Sequence, residues 1–220
     1  MNTKEKIYNT AKRLYLENGF EATPNTMIAK EAGVNLGLVT YYYKTKDIIA
    51  SDMLNQNYDT LYRHLYNYLP VYDDMLMLVA FHRLHIHLTE IDPDYDRFIY
   101  EMNKQDLIEK ATKDGNLVDI FARLVNSNDH ISQKKELFLD IALSIYFGGY
   151  RALTMNQFEK TLHISKDELF QLCMHTMMAS LELDYESPSF RSVMRTAEAI
   201  VYKLLNEHPD LKRTASYLYI

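Results

Sequence analysis

Cysteine, glycine, proline and long apolar runs are all scarce in this chain. Of its 220 residues one is cysteine, 6 are glycine, 5 are proline and none is tryptophan. A lone cysteine excludes a disulfide framework and a cysteine-based zinc cluster, and so few turn-forming residues argue against a strand-rich fold. No apolar run approaches a membrane span, and the amphipathic start is unlike a signal peptide. These absences predict a cytoplasmic, all-α protein without a membrane segment or a cofactor.

Charge is divided unevenly along the chain, whose formal net charge is −6. Residues 1–50 hold 7 lysines and arginines against 5 acidic residues, and the remainder holds 17 against 25, so the two parts carry +2 and −8. The N-terminal part can approach phosphate while the rest repels it.

Apolar periodicity and capping residues predict helices along the whole chain. Ser132 and Ser165 are the expected caps of two late helices, and Glu168 completes a capping box with Ser165. The predicted helices cover residues 3–18, two short segments between 23 and 42, 45–69, 73–90, 94–103, 106–126, 132–159, 165–183 and 188–207.

Residues 19–49 carry the most informative pattern, two short helices joined by a tight turn. Thr23 is the expected cap of the first, and Gly33 supplies the left-handed residue that ends it. Asn35 caps the second, whose Val39 and Tyr43 point inward. Its other face is rich in exposed aromatic and apolar side chains, as expected of a helix-turn-helix that enters the DNA major groove.

This stretch resembles the N-terminal domain of the TetR family of bacterial transcriptional regulators. Asn35, Tyr42 and Tyr43 stand where that family has serine, histidine and phenylalanine, while Asn25, Pro24 and Thr40 depart from its pattern. The matching residues are Gly19, Phe20, Thr23, Ile28, Ala29, Ala32, Gly33, Val34, Gly37, Lys46, Asp47 and Ile49.

The resemblance implies a helix-turn-helix DNA-binding domain over residues 1–46 and a helical effector-binding and dimerisation domain over 47–220. The protein is then expected to be a repressor that binds a palindromic double-stranded DNA operator as a homodimer, and that a small apolar or aromatic effector releases. The expected DNA contacts are Thr23, Thr26, Asn35, Leu36, Gly37, Leu38, Thr40, Tyr41, Tyr42 and Lys46. Because no arginine or lysine faces out of the reading helix, A·T-rich half-sites are expected.

Two late helices have narrow apolar seams suited to helix–helix packing, and Gly148 and Gly149 allow a close approach. In the TetR family the corresponding helices form a four-helix bundle with a second copy. The expected dimer residues are Leu137, Ile141, Ile145, Gly148, Ala152, Leu169, Leu172, Thr176, Met177 and Leu181. The helix at 188–207 either covers the core or extends this interface.

The family also implies an effector pocket among the middle helices, where aromatic and methionine side chains are abundant. Most such side chains form the core of a helical protein. The candidate lining residues are Tyr58, Tyr62, Phe81, His85, Phe98, Met102, Phe121, Tyr146, Tyr150 and Met155.

Two other classes of protein remain open. One is a small-molecule-binding helical protein that no longer binds DNA, and the other is an enzyme using His82 and His85. No phosphate loop, nucleophile elbow or paired metal-ligand motif is present, so we expect no enzymatic activity. His82 and His85 share one helix side while His87 points away, so the three do not form a metal site.

Overall fold

Helices make up the regular structure of residues 2–113, 115–128 and 134–212, which a computed structural model describes. The fold is all-α, as predicted, and none of the described helices is long and apolar enough to cross a membrane. The helices are α1 (Thr3–Asn18), α2 (Asn25–Glu31), α3 (Leu36–Tyr42), α4 (Lys46–Tyr66), α5 (Asp74–Ile91), α6 (Pro93–Lys104), α7 (Leu107–Thr112), α8 (Asn116–Ser127), α9 (Lys135–Phe158), α10 (Lys166–Ser180) and α11 (Pro188–Glu207), followed by a 3₁₀ turn at Pro209–Lys212.

Short polar side chains start several helices where the sequence indicates. Asn35 accepts a hydrogen bond from the Gly37 N–H at 2.8 Å. The Ser165 hydroxyl accepts from the Glu168 N–H at 3.2 Å while the Glu168 carboxylate accepts from the Ser165 N–H, which confirms the predicted capping box. Gly33 has φ +60°, the left-handed conformation expected at the end of α2.

Several helix boundaries differ from the prediction, among them the end of α10, which is Ser180 and not residue 183. Residues 106–126 form two helices, because Gly115 interrupts the apolar periodicity and precedes the first residue of α8. The helix α4 ends at Tyr66, short of the predicted residue 69. Ser132 lies outside the described residues, and the described part of α9 begins at Lys135.

The helix α5 is the centre of the larger part of the molecule. Most of its side chains are buried, and it packs against α4, α6, α8, α10 and α11. The helix α11 lies along α5 and buries Phe190, Ala197, Val201 and Leu204. Its described residues therefore cover the core, one of the two roles left open for it.

The helices α9 and α10 approach closely at Gly149. A Cβ atom built on this residue would lie 2.6 Å from Cγ2 of Thr176, whereas one built on Gly148 would meet nothing within 4 Å. Gly149 thus allows the α9–α10 packing within the protomer, and Gly148 faces outward.

Replacing Gly149 with alanine should therefore destabilise the fold. Overpacking of this kind costs about 1–3 kcal/mol, partly offset by the better helix propensity of alanine. Thr176→Ser, which removes Cγ2 and keeps the hydroxyl, should restore most of the loss in the double variant. Urea unfolding of the two single variants and the double variant measures both effects, and a Gly149→Ala protein as stable as the parent would contradict this packing.

Candidate nucleic-acid interface and effector cavity

The helix α3 presents one polar-aromatic face to solvent. Val39 and Tyr43 are buried as predicted, and the opposite side leaves Tyr41 78% exposed. The Tyr41 and Tyr42 rings pack edge to face at 5.1 Å between centroids. The other exposed residues of this surface are Leu36, Gly37, Leu38 and Thr40. These six residues define the α3 face, on the solvent side of the second helix of the helix-turn-helix.

Thr23 was expected on this interface and is not there. Its side chain is fully buried, and its hydroxyl donates to the Gly19 carbonyl at 2.7 Å. It caps no helix, because Pro24 occupies the cap position of α2 without a side-chain hydrogen bond. Thr23 fixes the α1–α2 loop from inside, so its predicted contact with phosphate is wrong. Thr26, in the first turn of α2, is exposed.

Lys46 is also directed toward the protein. Its ammonium donates to the Phe20 carbonyl at 2.8 Å and lies 4.1 Å from the centroid of the Phe20 ring. The predicted contact of this ammonium with phosphate is therefore revised. In this structure Lys46 connects the start of α4 to the loop before α2.

The helix α6 holds the end of α1 from the other side. The Glu101 carboxylate accepts the Phe20 N–H at 2.5 Å, and Arg97 donates to the Leu16 carbonyl. Burial raises the pKa of Glu101, and the bond from Phe20 opposes that shift. These contacts fix the end of α1 against α6. They join residues about eighty positions apart, so no local pattern in the sequence indicates them.

Asn25, which departs from the TetR pattern, is explained by nothing in the structure. Its Oδ1 is buried without a hydrogen-bond partner among the described residues.

The predicted dimer seam is exposed along α9. Leu137, Ile141, Ile145, Gly148 and Ala152 all face solvent, and Ile145 is 50% exposed. On α10, Leu172 is exposed and Thr176 is half-buried. Leu169, Met177 and Leu181 are instead buried within the protomer, so they belong to its core and not to a free surface.

A cavity of about 1260 Å³ lies between α1, α4, α5 and α8. Of the ten residues predicted to line a pocket, Tyr62 alone lines this one. Met155 is half-buried on α9, and the other predicted residues are packed in the core. The prediction missed Lys12 and Asn57, because an abundance of aromatic residues does not indicate which of them are left beside a void.

His82 and His85 take part in a buried hydrogen-bond network. His82 Nδ1 donates to the Leu78 carbonyl, and Nε2 accepts from the Tyr146 hydroxyl. His85 bonds to the Tyr95 hydroxyl at 3.1 Å through Nδ1 and to the Tyr150 hydroxyl at 2.8 Å through Nε2. Among the described residues no three histidine, cysteine or acidic side chains are grouped to hold a metal ion.

Both histidines are held neutral by burial, which lowers the pKa of His82 from 6.5 to about 4 and that of His85 to about 3. As the pH falls, these histidines therefore take up protons at a higher pH in the unfolded chain than in the folded protein. The free energy of unfolding present above pH 6.5 should decrease as the pH falls toward 4. Each histidine contributes up to about 1.4 kcal/mol per pH unit. Urea unfolding between pH 7 and 5.5 measures this slope.

The matched control for this pH dependence is His175→Asn, since His175 is exposed. That variant should keep the slope, and His85→Gln should reduce it by about one proton. An unchanged slope in His85→Gln would contradict a neutral His85 in the folded protein.

Sequence comparison places the N-terminal region among known regulators. Residues 7–53 match the family model for bacterial regulatory proteins of the tetR family. Over 55 residues the chain is 38% identical to the HTH-type transcriptional regulator QacR of Staphylococcus aureus, covering 25% of this chain and 29% of QacR. Over 59 residues it is 34% identical to the probable HTH-type transcriptional regulator YttP of Bacillus subtilis, covering 27% of this chain and 28% of YttP. The chain thus spans less than a third of these curated relatives.

Structural comparison extends the similarity over most of the chain. The crystal structure of Thermus thermophilus FadR, a TetR-family transcriptional repressor, superposes with a TM-score of 0.59 at 19% identity, covering 84% of this chain and 97% of FadR. At that identity the likeness establishes the fold.

The fold and the α3 face together define a helix-turn-helix protein. Residues 7–53 match the TetR family model, and over 84% of the chain the fold resembles that of a TetR-family repressor.

Proposed function

We propose that the protein is a transcriptional repressor that binds a palindromic operator as a homodimer and is released by a small effector. The exposed α3 face carries this proposal. It leaves two leucines and two tyrosine rings exposed on one short helix, and Asn35 and Gly33 build the turn that presents them. The proposed DNA contacts are Thr26, Asn35, Leu36, Gly37, Leu38, Thr40, Tyr41 and Tyr42.

The proposed half-sites are A·T-rich. Leu36 and Leu38 can contact thymine methyl groups, Thr40 can bond to a base edge, and the Tyr41 and Tyr42 hydroxyls can reach backbone oxygens. The positive charge of the first 50 residues favours phosphate, and the negative charge of the remainder orients the molecule.

Tyr41→Ala should weaken operator binding at least about tenfold, since a lost phosphate or base contact costs about 1–3 kcal/mol. The operator is first selected from a random DNA pool, and fluorescence anisotropy at several salt concentrations then gives the affinities. Tyr202→Ala is the matched control, because Tyr202 is 71% exposed on α11, outside the α3 face. Equal affinity of the two variants would contradict the α3 face as the reading surface, and failure of the selection would favour a binding protein that no longer recognises DNA.

The dimer we propose forms through the exposed seam of α9 together with Leu172 of α10. A row of large apolar side chains open to solvent is typical of an interface, and a two-fold arrangement would pair the seam with itself. Gly148 would let the two copies of α9 approach closely, because nothing in its own protomer occupies the space beside it.

Ile145→Glu should convert this dimer to a monomer at micromolar concentration. The charge is introduced twice at a two-fold interface, and each copy should cost about 2 kcal/mol or more. Sedimentation velocity measures the change. Val71→Glu, at a residue 74% exposed between α4 and α5, serves as the control and should leave the dimer intact. A monomeric parent protein would overturn the dimer itself.

The cavity between α1, α4, α5 and α8 is the proposed effector site. It lies where the N-terminal helices meet the effector domain, so a ligand there can alter their relative position. The Thermus thermophilus FadR neighbour was crystallised with lauroyl-CoA, which supports a ligand-binding role for this fold.

A further inference from the structure

The cavity wall contains a buried lysine contributed by α1. Lys12 is 4% exposed, and no carboxylate pairs with it among the residues that the structure describes. Its recorded neighbour is the Tyr8 ring, whose centroid lies 5.2 Å from the ammonium. Burial lowers the pKa of Lys12. A buried cation without an anionic partner is unfavourable, so this position stays costly as long as the cavity holds no anion.

Asn57 adds a hydrogen-bond donor to the same cavity. The Tyr95 hydroxyl donates to Asn57 Oδ1 at 2.7 Å, which fixes the amide. The Asn57 Nδ2 group is buried and has no hydrogen-bond partner among the described residues. The hydroxyl of Tyr62, another residue of the cavity wall, is also buried and unpartnered. A ligand that satisfies these groups must supply acceptor oxygens.

Other charged side chains that line the cavity differ from Lys12 in exposure or pairing. Arg63 is exposed and donates to the Asp59 carbonyl at 3.3 Å and the Thr60 hydroxyl at 3.1 Å. Arg123 forms a salt bridge with Asp74 at 2.7 Å. The Asp59 carboxylate is exposed and accepts from Asn116 at 3.1 Å. Lys12 is thus the buried charged group of the cavity wall that has no oppositely charged partner among the described residues.

The remaining wall is largely polar, with apolar or aromatic side chains at Tyr62, Met77 and Ile120 among others. The Tyr62 ring stacks on Phe81 at 4.5 Å between centroids, and Met77 and Ile120 lie beside it. The buried cation Lys12 suits a ligand with one negative charge, and Tyr62, Met77 and Ile120 suit an apolar body on the same ligand.

We propose that the cavity binds an organic monocarboxylate whose carboxylate pairs with Lys12 and accepts from the Asn57 amide, while its apolar body lies against Tyr62, Met77 and Ile120. This inference rests on the proposed function only in naming the cavity as the effector site. Because Lys12 belongs to α1 and Asn57 to α4, the carboxylate joins the DNA-binding helices to the effector domain.

Isothermal titration calorimetry with matched pairs of probes tests the proposal in the absence of DNA. The pairs are 2-naphthoate against 2-naphthamide and decanoate against decanol, which differ in charge and share an aromatic or a linear body. At least one carboxylate should bind about tenfold or more tightly than its neutral counterpart. Equal affinities within both pairs, or no binding of either carboxylate, would overturn the proposal.

Lys12→Met, similar in length and uncharged, should weaken carboxylate binding about thirty-fold or more and remove the preference over the neutral probe. Lys110→Met is the control, since Lys110 is exposed on α7 outside the cavity wall. The melting temperature of ligand-free Lys12→Met should equal or exceed that of the parent, because an unpaired buried charge is removed. A lysine with a purely structural role would give a lower melting temperature and an unchanged probe preference.

The probe pairs test the wild-type protein even if Lys12→Met fails to fold. A protein that binds carboxylates and no operator would contradict the proposed function and keep this inference. A protein that binds an operator but shows no preference within either probe pair would contradict this inference and keep the proposed function.

Discussion

Hydrogen bonds between buried polar side chains connect the helices that follow the helix-turn-helix. Tyr150, His85, Tyr95 and Asn57 form one chain of hydrogen bonds, with each link between 2.7 and 3.1 Å. The chain joins α9, α5, α6 and α4 through the middle of the core. Because breaking one of these bonds would leave a buried polar group unpaired, the chain favours this arrangement of the four helices.

That arrangement also positions the N-terminal helices. The helix α6 carries Tyr95 on its first turn and Glu101 near its last, so the helix held by the buried chain is the one that binds the Phe20 N–H. Lys46 bonds to the Phe20 carbonyl from α4. The Phe20 N–H is therefore bonded by α6 and its carbonyl by the first residue of α4, and the two contacts together fix the loop that precedes α2 and α3.

Local signals were readable from the sequence, whereas contacts between distant residues were not. Asn35, Ser165 and Gly33 act within one helical turn, so their roles followed from residue type and spacing. Thr23 suited a cap by the same criteria, but Pro24 takes the cap position of α2, and the buried Thr23 hydroxyl donates to the Gly19 carbonyl. The family pattern correctly located the α3 face, because the inward Val39 and Tyr43 determine which residues remain outside.

The lining of the cavity also depends on contacts between distant residues, which composition does not predict. Aromatic composition could not separate Tyr62, which borders the void, from Tyr58 and Tyr146, which are packed in the core. Lys12 reads in sequence as one of several charges on an amphipathic helix. Its burial becomes visible only when α1 is placed against the effector domain.

The position of Lys12 bears on how a ligand could act on DNA binding. Lys12 precedes Gly19 by two helical turns, about 10 Å along α1, and the chain at Gly19 and Phe20 is held by Glu101. A ligand shifts an equilibrium only through different interaction energies with its two states. A ligand that pairs with Lys12 would have different interaction energies in the two states. Lys12 lies on α1 and the ligand's other contacts lie on α4, α5 and α8, so the pairing depends on the position of α1 relative to those helices. A ligand whose contacts all lay on the helices after α3 would need another part of the protein to transmit its binding to α1. A ligand bound to Lys12 contacts α1 directly.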